Sequence, residues 1–345
     1  MTSSSNNRFV DNKRRVIEGL RSAASCSTAD TISVLSDFVA PTVRAHFFEP
    51  INELAGRESL SENFFGALKK SFPDLARAET IVLSGESDGA EMVATTGHYV
   101  GTFAHDWLGI PATHKVTQLR FGETHRVEDG LITETWVIID VIDVLRQAGV
   151  ALTPPSLGAE GLWLPPGDGS GVDIYSVDSE KGAETLRFSR EMQETLMQFD
   201  GKSLASMKQE RYWSPTFLWF GPGGIGTTRG LQGFQAHHQI PFLIAFPDRR
   251  GGQHLIRMGD GMFAVTGGWP SVTATHTGDG WLGLAASGRN VRMRVMDFYR
   301  VDRGKIVENW VPLDIVHVLK QIGYDVFERL AHLRGQPRLQ LPWEE

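Results

Sequence analysis

The spacing of apolar and polar residues changes partway through the first half of the chain, from a helical pattern to a strand pattern. Charged segments with apolar residues at helical spacing come first, at residues 12–24, 31–38 and 59–71. Segments typical of strands follow, at residues 78–84, 91–100, 116–127 and 131–139. Helices in one run and strands in the next indicate an α+β fold with an antiparallel sheet. Asp129-Gly130 predicts a hairpin turn between the last two strands.

The second half of the chain repeats this order. Helical segments are predicted at residues 183–199, 203–211 and 232–246. The end of the first half, DGLITETWVIIDVIDVLRQAG, recurs as RGKIVENWVPLDIVHVLKQIG. Trp136 pairs with Trp310 and Asp140 with Asp314 at one offset of 174 residues (310 − 136 and 314 − 140). A repeat of this length predicts a duplicated domain rather than a solenoid of short units.

The connection between the two copies is rich in proline and glycine. Residues 153–175 hold four prolines and a GDGSG run, which predicts a linker between domains at residues 1–152 and 176–345. Two domains of ordinary size suit a chain of 345 residues. Trp163 and its leucine neighbours predict that the linker packs on a domain surface.

Composition narrows the class of protein. The chain is 41% hydrophobic and 22% charged, which is ordinary for a soluble globular protein. Its formal net charge is −7 and it has no run of lysine and arginine, so we expect no nucleic-acid partner. The single Cys26 excludes an intramolecular disulfide and a multi-cysteine metal site, and it suits a cytoplasmic location. No segment has the length and apolarity of a signal peptide core or a membrane span, so we expect no membrane partner.

Strand alternation predicts which side chains share a face. In the last strand of the first half, Glu134, Trp136, Ile138 and Asp140 share one face. The preceding strand of each half presents a second set, namely Leu119, Phe121, Glu123 and His125, and Met293, Val295, Asp297 and Tyr299. Pro312 interrupts the alternation in the second half and predicts an edge or a bulge there. The facing of Asp314 is therefore less fixed than that of Asp140.

The chain resembles the SnoaL-type polyketide cyclases of the nuclear-transport-factor-2-like superfamily. The residues that carry the resemblance are TGHYVG and ATHTG, each followed by WLG, and then RVxxGxIxExWxxxD. The second half, THTGDGWLGLAASGRNVRMRVMDFYRVDRGKIVENWVPLD, is the closer match. The resemblance implies two tandem cone-shaped, cystatin-like domains, each a curved antiparallel sheet packed on helices around an apolar pocket.

The resemblance also implies a reaction. Family members close a ring by an intramolecular aldol reaction with no metal and no cofactor, and the aspartate of the WxxxD motif is the acid/base. Carried over, this predicts Asp314 and Asp140 as catalytic residues. A carboxyl group in an apolar cavity suits the role because burial raises its pKa toward neutrality. Each aspartate also precedes a helical segment, so it fits equally a helix N-cap, and the two roles are compatible.

A further set of aromatic and polar side chains is predicted to bind substrate. These are Trp310, Trp136, Tyr299, His125, His276, His98, Trp219 and His238. The tryptophans could stack on a flat substrate or belong to the core. His98 is paired with His276 between the two copies. Glu123 and Asp297 either face the pocket with them or pair with Arg120, Arg126, Arg294 or Arg300.

Two motifs have ordinary explanations. GPGGIGTTRG at residues 221–230 lacks the lysine of a phosphate-binding loop and predicts a flexible loop at the pocket mouth that could serve as a lid. Arg249-Arg250 could meet an acidic substrate group or form a solvated turn. His237 and His238 are adjacent in a helix and so do not face one metal ion.

Three functions remain open on the sequence. The first is a cofactor-free cyclase, of the lyase or isomerase class, that acts on a small carbonyl or polyketide-like substrate. The second is a hydratase, dehydratase or isomerase that acts on another small metabolite. The third is a non-enzymatic module that binds a ligand or dimerises, since fold does not fix function. We expect the two halves to pack as a pseudo-dimer, with homo-oligomers possible.

Overall fold

The computed structural model describes residues 2–338 and 340–341 and divides them into two similar halves. The first half consists of α1 Thr2–Ser25, α2 Thr31–Ser36, β1 Val39–Phe47, β2 Glu53–Ala55, α3 at 57–71, β3 Ala76–Ser87, β4 Ala90–Thr102, β5 Val116–Glu128, β6 Leu131–Ile139 and α4 Val141–Gln147. The second consists of α5 Ser179–Leu196, β7 Trp213–Phe220, β8 Thr228–Arg229, α6 at 230–245, β9 Arg250–Gly251, β10 His254–Asp260, β11 Phe263–Thr275, β12 Asn290–Asp302, β13 Lys305–Trp310, α7 Ile315–Gln321 and α8 Val326–Arg334. The predicted α+β class is confirmed.

Each half contains one sheet with the same strand order. The first sheet runs β2-β1-β6-β5-β4-β3, and the second runs β8-β7-β13-β12-β11-β10 with β9 beside β11. All neighbours are antiparallel except β1 with β6 and β7 with β13, which are parallel. Register shifts interrupt β11 and β13. Such bulges bend a strand and curve the sheet around the helices on its inner face.

The helical segments differ from the prediction in two ways. Residues 203–211 form two short 3₁₀ turns instead of a helix, separated at Lys208, which has a φ of 47°. Helices α3 and α6 each contain a π-helical segment, at Leu60–Gly66 and Gln235–Gln239. A π segment often marks a functional position in a helix. The C-terminal α8 has no counterpart in the first half. No helix in the described ranges has the length and apolar character needed to cross a membrane.

The outer faces of the two sheets pack against each other and form a hydrophobic core between the domains. Trp136 and Ile138 of β6 lie there with Phe298 of β12 and Trp310 of β13, and Trp163 of the linker inserts between the sheets. The linker contains no helix or strand between Gln147 and Ser179, yet its Trp163 is buried. The domain boundaries at 152 and 176 remain predictions.

Two reciprocal contacts tie the halves together. The Asp140 carboxylate accepts a hydrogen bond from Gly223 N, at 2.7 Å, and the Asp314 carboxylate accepts one from Glu49 N, at 2.9 Å. Positions 49 and 223 are themselves 174 residues apart. The same surface of each domain therefore contacts the other, as in a two-fold dimer. We call these contacts the interdomain clasp.

The clasp includes one arginine from each half. Arg120 forms an ion pair with Asp140 at 3.0 Å and donates to Gly221 O, while Arg294 pairs with Asp314 at 3.2 Å and donates to Phe47 O. Both arginines lie on the outer face of their strands, and both aspartates are less than a tenth exposed. The arginine and the aspartate of each domain therefore form hydrogen bonds with main-chain groups of the other domain.

The glycine-rich loop belongs to this clasp and is not a lid. Residues 221–228 are all buried, and Ala159 of the linker pairs with Thr227 through two main-chain hydrogen bonds. A Cβ on Gly223 would lie 2.9 Å from Asp140 Oδ1 and 2.7 Å from Asp143 N. Glycine is needed here for close approach to the first domain. The prediction of a flexible loop at the pocket mouth is wrong, because this loop is packed between the domains.

Candidate functional site

A cavity of about 360 Å³ lies on the inner face of the second sheet. It is enclosed by α5, α6 and the inner faces of β7, β11, β12 and β13, and its wall is mainly apolar. The polar and aromatic side chains that line it include Gln193, Trp219, His238, Asp297, Tyr299 and Asn309. Ligand cavities in proteins span about 300–1,000 Å³ and combine apolar walls with a few polar groups. This cavity is large enough for a small organic molecule.

Asp297 on β12 is the carboxylate on the inner face of the sheet in this cavity. Its side chain is half-buried and lines the cavity. Burial raises the pKa of Asp297 to about 7, against the opposing effects of the Asn309 and Tyr299 side chains. No cation contributes to this pKa. A carboxyl group with this pKa exchanges a proton readily at neutral pH, which general acid/base catalysis requires.

Tyr299 is positioned beside Asp297 by a hydrogen-bonded glutamine. Gln193 of α5 donates to Tyr299 Oη at 3.0 Å and to Thr266 Oγ1 at 2.7 Å. Burial raises the pKa of Tyr299 well above its usual value, so its hydroxyl stays protonated. Because Gln193 donates to the oxygen, the hydroxyl proton is free to point to Asp297 or to a ligand. Asn309 is fixed on β13 by its bond to Phe298 O at 3.0 Å.

His238 forms the opposite side of the cavity. Its ring stacks on Trp219 with a centroid distance of 4.2 Å and an interplanar angle of 14°. Burial lowers the pKa of His238 to about 3, so the imidazole is neutral at pH 7. His238 lies in the π-helical segment of α6. It also borders a surface groove formed with Trp281 and Pro154, so it stands between the cavity and the outside.

The equivalent space in the first domain is closed. Its volume is about 20 Å³, little more than one water molecule needs. Arg77 donates two hydrogen bonds to Glu123, at 2.9 and 2.7 Å, and Tyr99 Oη donates a third at 3.1 Å. Burial would raise the pKa of Glu123, but Arg77 and His125 lower it to about 2. Glu123 is therefore an ionised, fully paired carboxylate.

Two substitutions distinguish the interiors of the two domains. In the first, Arg77 of β3 pairs with Tyr99 of β4, whereas in the second, Gly251 pairs with Val272. Glu123 and Asp297 occupy equivalent places, because they pair with Thr95 and Thr266 on the neighbouring strand. The second domain lacks this arginine and tyrosine. Its interior therefore contains an open space and a carboxylate with no arginine partner.

The predicted site residues divide between the two faces of the sheets. Tyr299, Trp219 and His238 line the cavity of the second domain. His125 lies in the closed interior of the first domain, hydrogen-bonded to Thr135 at 2.9 Å. Trp136 and Trp310 lie on the outer face, where Trp310 stacks on Phe220 and donates to Leu164 O at 2.8 Å. The two tryptophans are therefore separated from the cavity by the sheet.

His98 and His276 are not equivalent positions. Thr102 bonds Asp74 through its main chain and hydroxyl, and Thr275 bonds Asp248 in the same way. This pairing places His276 opposite Phe103, so the predicted pairing with His98 is wrong. His98 instead faces the linker, with its ring edge-on to Trp163. His276 is buried against Phe246 and Ser287.

Asp140 and Asp314 have the alternative role that the sequence allowed. Asp140 caps α4 through Asp143 N at 3.1 Å, and Asp314 caps α7 through His317 N at 3.1 Å. Burial raises the pKa of Asp314 to about 6, against the effect of Arg294, which by itself would suit an acid/base. Both Asp314 oxygens are nevertheless occupied by hydrogen bonds in the clasp. The catalytic role of Asp140 and Asp314 remains a prediction that this geometry does not favour.

Sequence reasoning found the correct strand face but not the central residue. It placed Asp297 beside Tyr299, and it left open a pairing with nearby arginines. Those arginines lie on the opposite face, and Glu123 pairs with Arg77 instead. Gln193 and Asn309 were missed. The useful signal was the offset of 174, which aligns Arg77 with Gly251 and marks the second interior as incomplete.

Comparisons with known proteins agree with the duplication. A family model described as SnoaL-like polyketide cyclase matches residues 18–148 and 204–322. A putative SnoaL-like polyketide cyclase from Jannaschia sp. CCS1 is 18% identical, with 42% of this chain and 94% of that chain covered and a TM-score of 0.34. IdmH, a putative polyketide cyclase from Streptomyces antibioticus, is 25% identical, with 39% and 96% covered and a TM-score of 0.33.

A hypothetical protein with a ketosteroid isomerase-like fold from Catenulispora acidiphila DSM 44928 is 16% identical, with 40% of this chain and 97% of that chain covered and a TM-score of 0.31. A comparison with curated proteins finds no match. The family model matches the sheet of each half and part of its helices, without α5 and α8, and its two segments together span more than half of the chain. The chain therefore belongs to the SnoaL-like polyketide cyclase family, whose domain it contains twice.

Proposed function

We propose that the second domain is a cofactor-independent acid/base enzyme that closes a ring in a small carbonyl compound by an aldol reaction. The observation that carries the proposal is Asp297, an unpaired carboxylate in a cavity of about 360 Å³ with a pKa raised to about 7. Membership of a family named for polyketide cyclases supports this reaction class. The first domain, with its paired Glu123 and closed interior, acts as a structural partner.

The residues of the cavity suit each step of such a reaction. The Asp297 carboxylate removes a proton from the carbon next to a substrate carbonyl and becomes the acid, while Tyr299 donates a hydrogen bond to the enolate oxygen. The enolate carbon attacks a second carbonyl carbon of the same molecule, so one carbon–carbon bond forms and an alkoxide develops. Asp297 returns its proton to that alkoxide. No electrons are gained or lost, and the carboxylate is regenerated.

The apolar wall serves the same chemistry. Trp213, Trp219 and Phe234 exclude water from the cavity and offer flat surfaces to an unsaturated substrate. Neutral His238 stacks on Trp219 and adds no positive charge that would lower the pKa of Asp297. An isomerase or dehydratase would share the first proton removal. Ring closure differs from both by the carbon–carbon bond that the product contains.

Proton removal can be tested without the natural substrate. We expect the protein to catalyse exchange of α-protons for deuterium in a panel of small cyclic and linear β-dicarbonyl compounds, followed by proton NMR. Because Asp297 must be ionised to act as a base, the rate should rise with pH and level off above a midpoint near 7. A rate that is flat from pH 5 to pH 9 at constant ionic strength would contradict the assignment.

The arginine that pairs with Glu123 in the first domain can be introduced at the equivalent position of the second domain, Gly251. A Cβ on Gly251 meets no atom within 4 Å, so a side chain at this position can leave the backbone without a clash. We expect the new guanidinium to pair with Asp297, to lower the pKa of that carboxyl and to occupy the cavity. Both exchange and ligand binding should then fall by at least about tenfold, as expected from a charge partner that lowers a base's pKa by a unit or more. Gly251→Gln, which lacks the charge, is the matched control. Unchanged activity in Gly251→Arg would argue against Asp297.

A further inference from the structure

Four arginines line the opening of the second-domain cavity. Arg190 extends from α5, Arg249 and Arg250 lie at the start of β9, and Arg257 lies on β10. They converge on the same cavity as Asp297 although they come from three separate elements. His254 stands among them, and its pKa is lowered by burial and by the charges of Arg257 and Arg190. Arg190, Arg257 and His254 all line this cavity.

These charges have little compensation from the protein. Arg249 is half-buried and donates one hydrogen bond, to Leu196 O at 2.8 Å. Arg257 has an ion-pair distance of 3.8 Å to the exposed Asp88, which is too long for a strong hydrogen bond. Arg190 and Arg250 form no ion pair within the described part of the chain. Glu194 also lines the cavity but is exposed on α5 and pairs with none of them.

The arginine cluster is specific to the domain that has the cavity. At the offset of 174, the first domain has Leu75 and Ala76 in the places of Arg249 and Arg250. Strand register places Val82 in the position of Arg257, because Val82 pairs with Thr95 and Arg257 with Thr266. Three positions that are basic around the cavity of the second domain are therefore apolar in the first domain. Arginines that served only to form a solvated turn would not need to differ in this way between the two domains.

We propose that the substrate of the second domain carries an oxyanion group, a carboxylate or a phosphate ester, that binds to Arg249 with Arg190, Arg250 and Arg257. Guanidinium groups bind oxyanions through paired N–H donors, and a half-buried guanidinium gains most from such a partner. The apolar part of the molecule then enters the cavity toward Tyr299 and Asp297. This inference rests on the proposed function for the orientation of the substrate, although the anion site is defined by the arginines alone.

Binding of simple aromatic acids tests the anion site directly. We expect naphthalene-2-carboxylate to bind at least about tenfold more tightly than the neutral 2-naphthamide, measured by quenching of tryptophan fluorescence and by calorimetry at low salt. 2-Naphthyl phosphate distinguishes a carboxylate site from a phosphate site. The preference for the acid should shrink as the salt concentration rises, because screening weakens exposed charges. Equal affinities for acid and amide would overturn the proposal.

Substitution of the arginines gives the second arm of the test. Arg249→Gln with Arg250→Gln should remove most of the preference for the acid while leaving the affinity for the amide unchanged. Arg190→Gln, at an exposed position on α5, should reduce the preference by severalfold. Arg187→Gln, one turn away on α5 and outside the cavity, is the matched control and should have no effect. A preference that survives all three cavity substitutions would also overturn the proposal.

The outcomes separate this inference from the proposed function. Asp297→Asn should preserve the preference for the acid, because the carboxamide leaves the arginines in place. If the acid is preferred but exchange does not depend on Asp297, the anion site stands and the proposed reaction fails. If exchange depends on Asp297 but acid and amide bind equally, the reaction stands and the anion site fails.

Discussion

Asp297→Asn is expected to reduce α-proton exchange and ring closure by about two to four orders of magnitude, the usual contribution of a general acid/base. The amide is nearly the same size as the carboxyl group and can still accept hydrogen bonds, but it cannot take up a proton. We expect the loss in kcat, with little change in ligand affinity. Asp302→Asn, at the partly exposed end of the same strand, is the matched control and should retain activity.

The same substitution should stabilise the protein. Folded Asp297 has a pKa of about 7, raised from 3.8, so the folded state holds a proton that the unfolded chain has already released between about pH 4 and pH 7. Stability therefore falls as the pH rises through this window. Asn has no charge to bury, so Asp297→Asn should increase the free energy of unfolding at pH 8 by about 3 kcal/mol. Denaturant titration at pH 4 and pH 8 measures this. A variant that is inactive and also less stable at pH 8 would indicate misfolding instead of a lost base.

Asp314→Ala is expected to lower the free energy of unfolding by about 3–5 kcal/mol, the range for a buried ion pair that loses one partner. The change leaves Arg294 without its carboxylate, removes the acceptor for Glu49 N from the other domain, and removes the cap of α7. Asp140→Ala should have a similar effect through Arg120 and Gly223. Asp178→Ala, which removes only a helix cap, should lower the free energy by about 1 kcal/mol.

A milder variant, Asp314→Asn, tests whether the WxxxD aspartates also act in catalysis. If Asp314 and Asp140 serve the clasp, then Asp314→Asn should fold and keep most of its exchange activity, with its loss confined to stability. A variant that folds with normal stability but has no activity would instead restore Asp314 as the acid/base. The comparison with Asp297→Asn in the same assay makes the two hypotheses exclusive.

Much of the fold follows from local patterns. The four strands predicted in the first half agree with β3 to β6 within about three residues at each end, because their alternation is long and regular. The strands β1 and β7, of nine and eight residues, were not predicted. The short β2 and β8 were not predicted either, since two or three residues carry no period. The segment at 203–211 has helical composition, but Lys208 adopts a left-handed conformation that ends the helix.

The site was harder to predict because alternation assigns two faces without saying what covers each. Trp136 and Asp140 do share a face, as predicted, but that face meets the other domain and not the cavity. In a single domain the same pattern would be consistent with a pocket. The contrast between Glu123 and Asp297 depends on Arg77, which lies two strands away and can only be recognised once register is known.

The difference between the two interiors has a consequence for how this protein tolerates change. An unpaired buried carboxylate and an open cavity both reduce stability, and activity commonly conflicts with stability in this way. Here the first domain has a packed, ion-paired interior, and the clasp couples it to the second. Substitutions that weaken the second interior can therefore be compensated by the first. A duplicated chain of this kind can therefore change its substrate while the first domain maintains the fold. A single domain that changed its interior in the same way would lose stability.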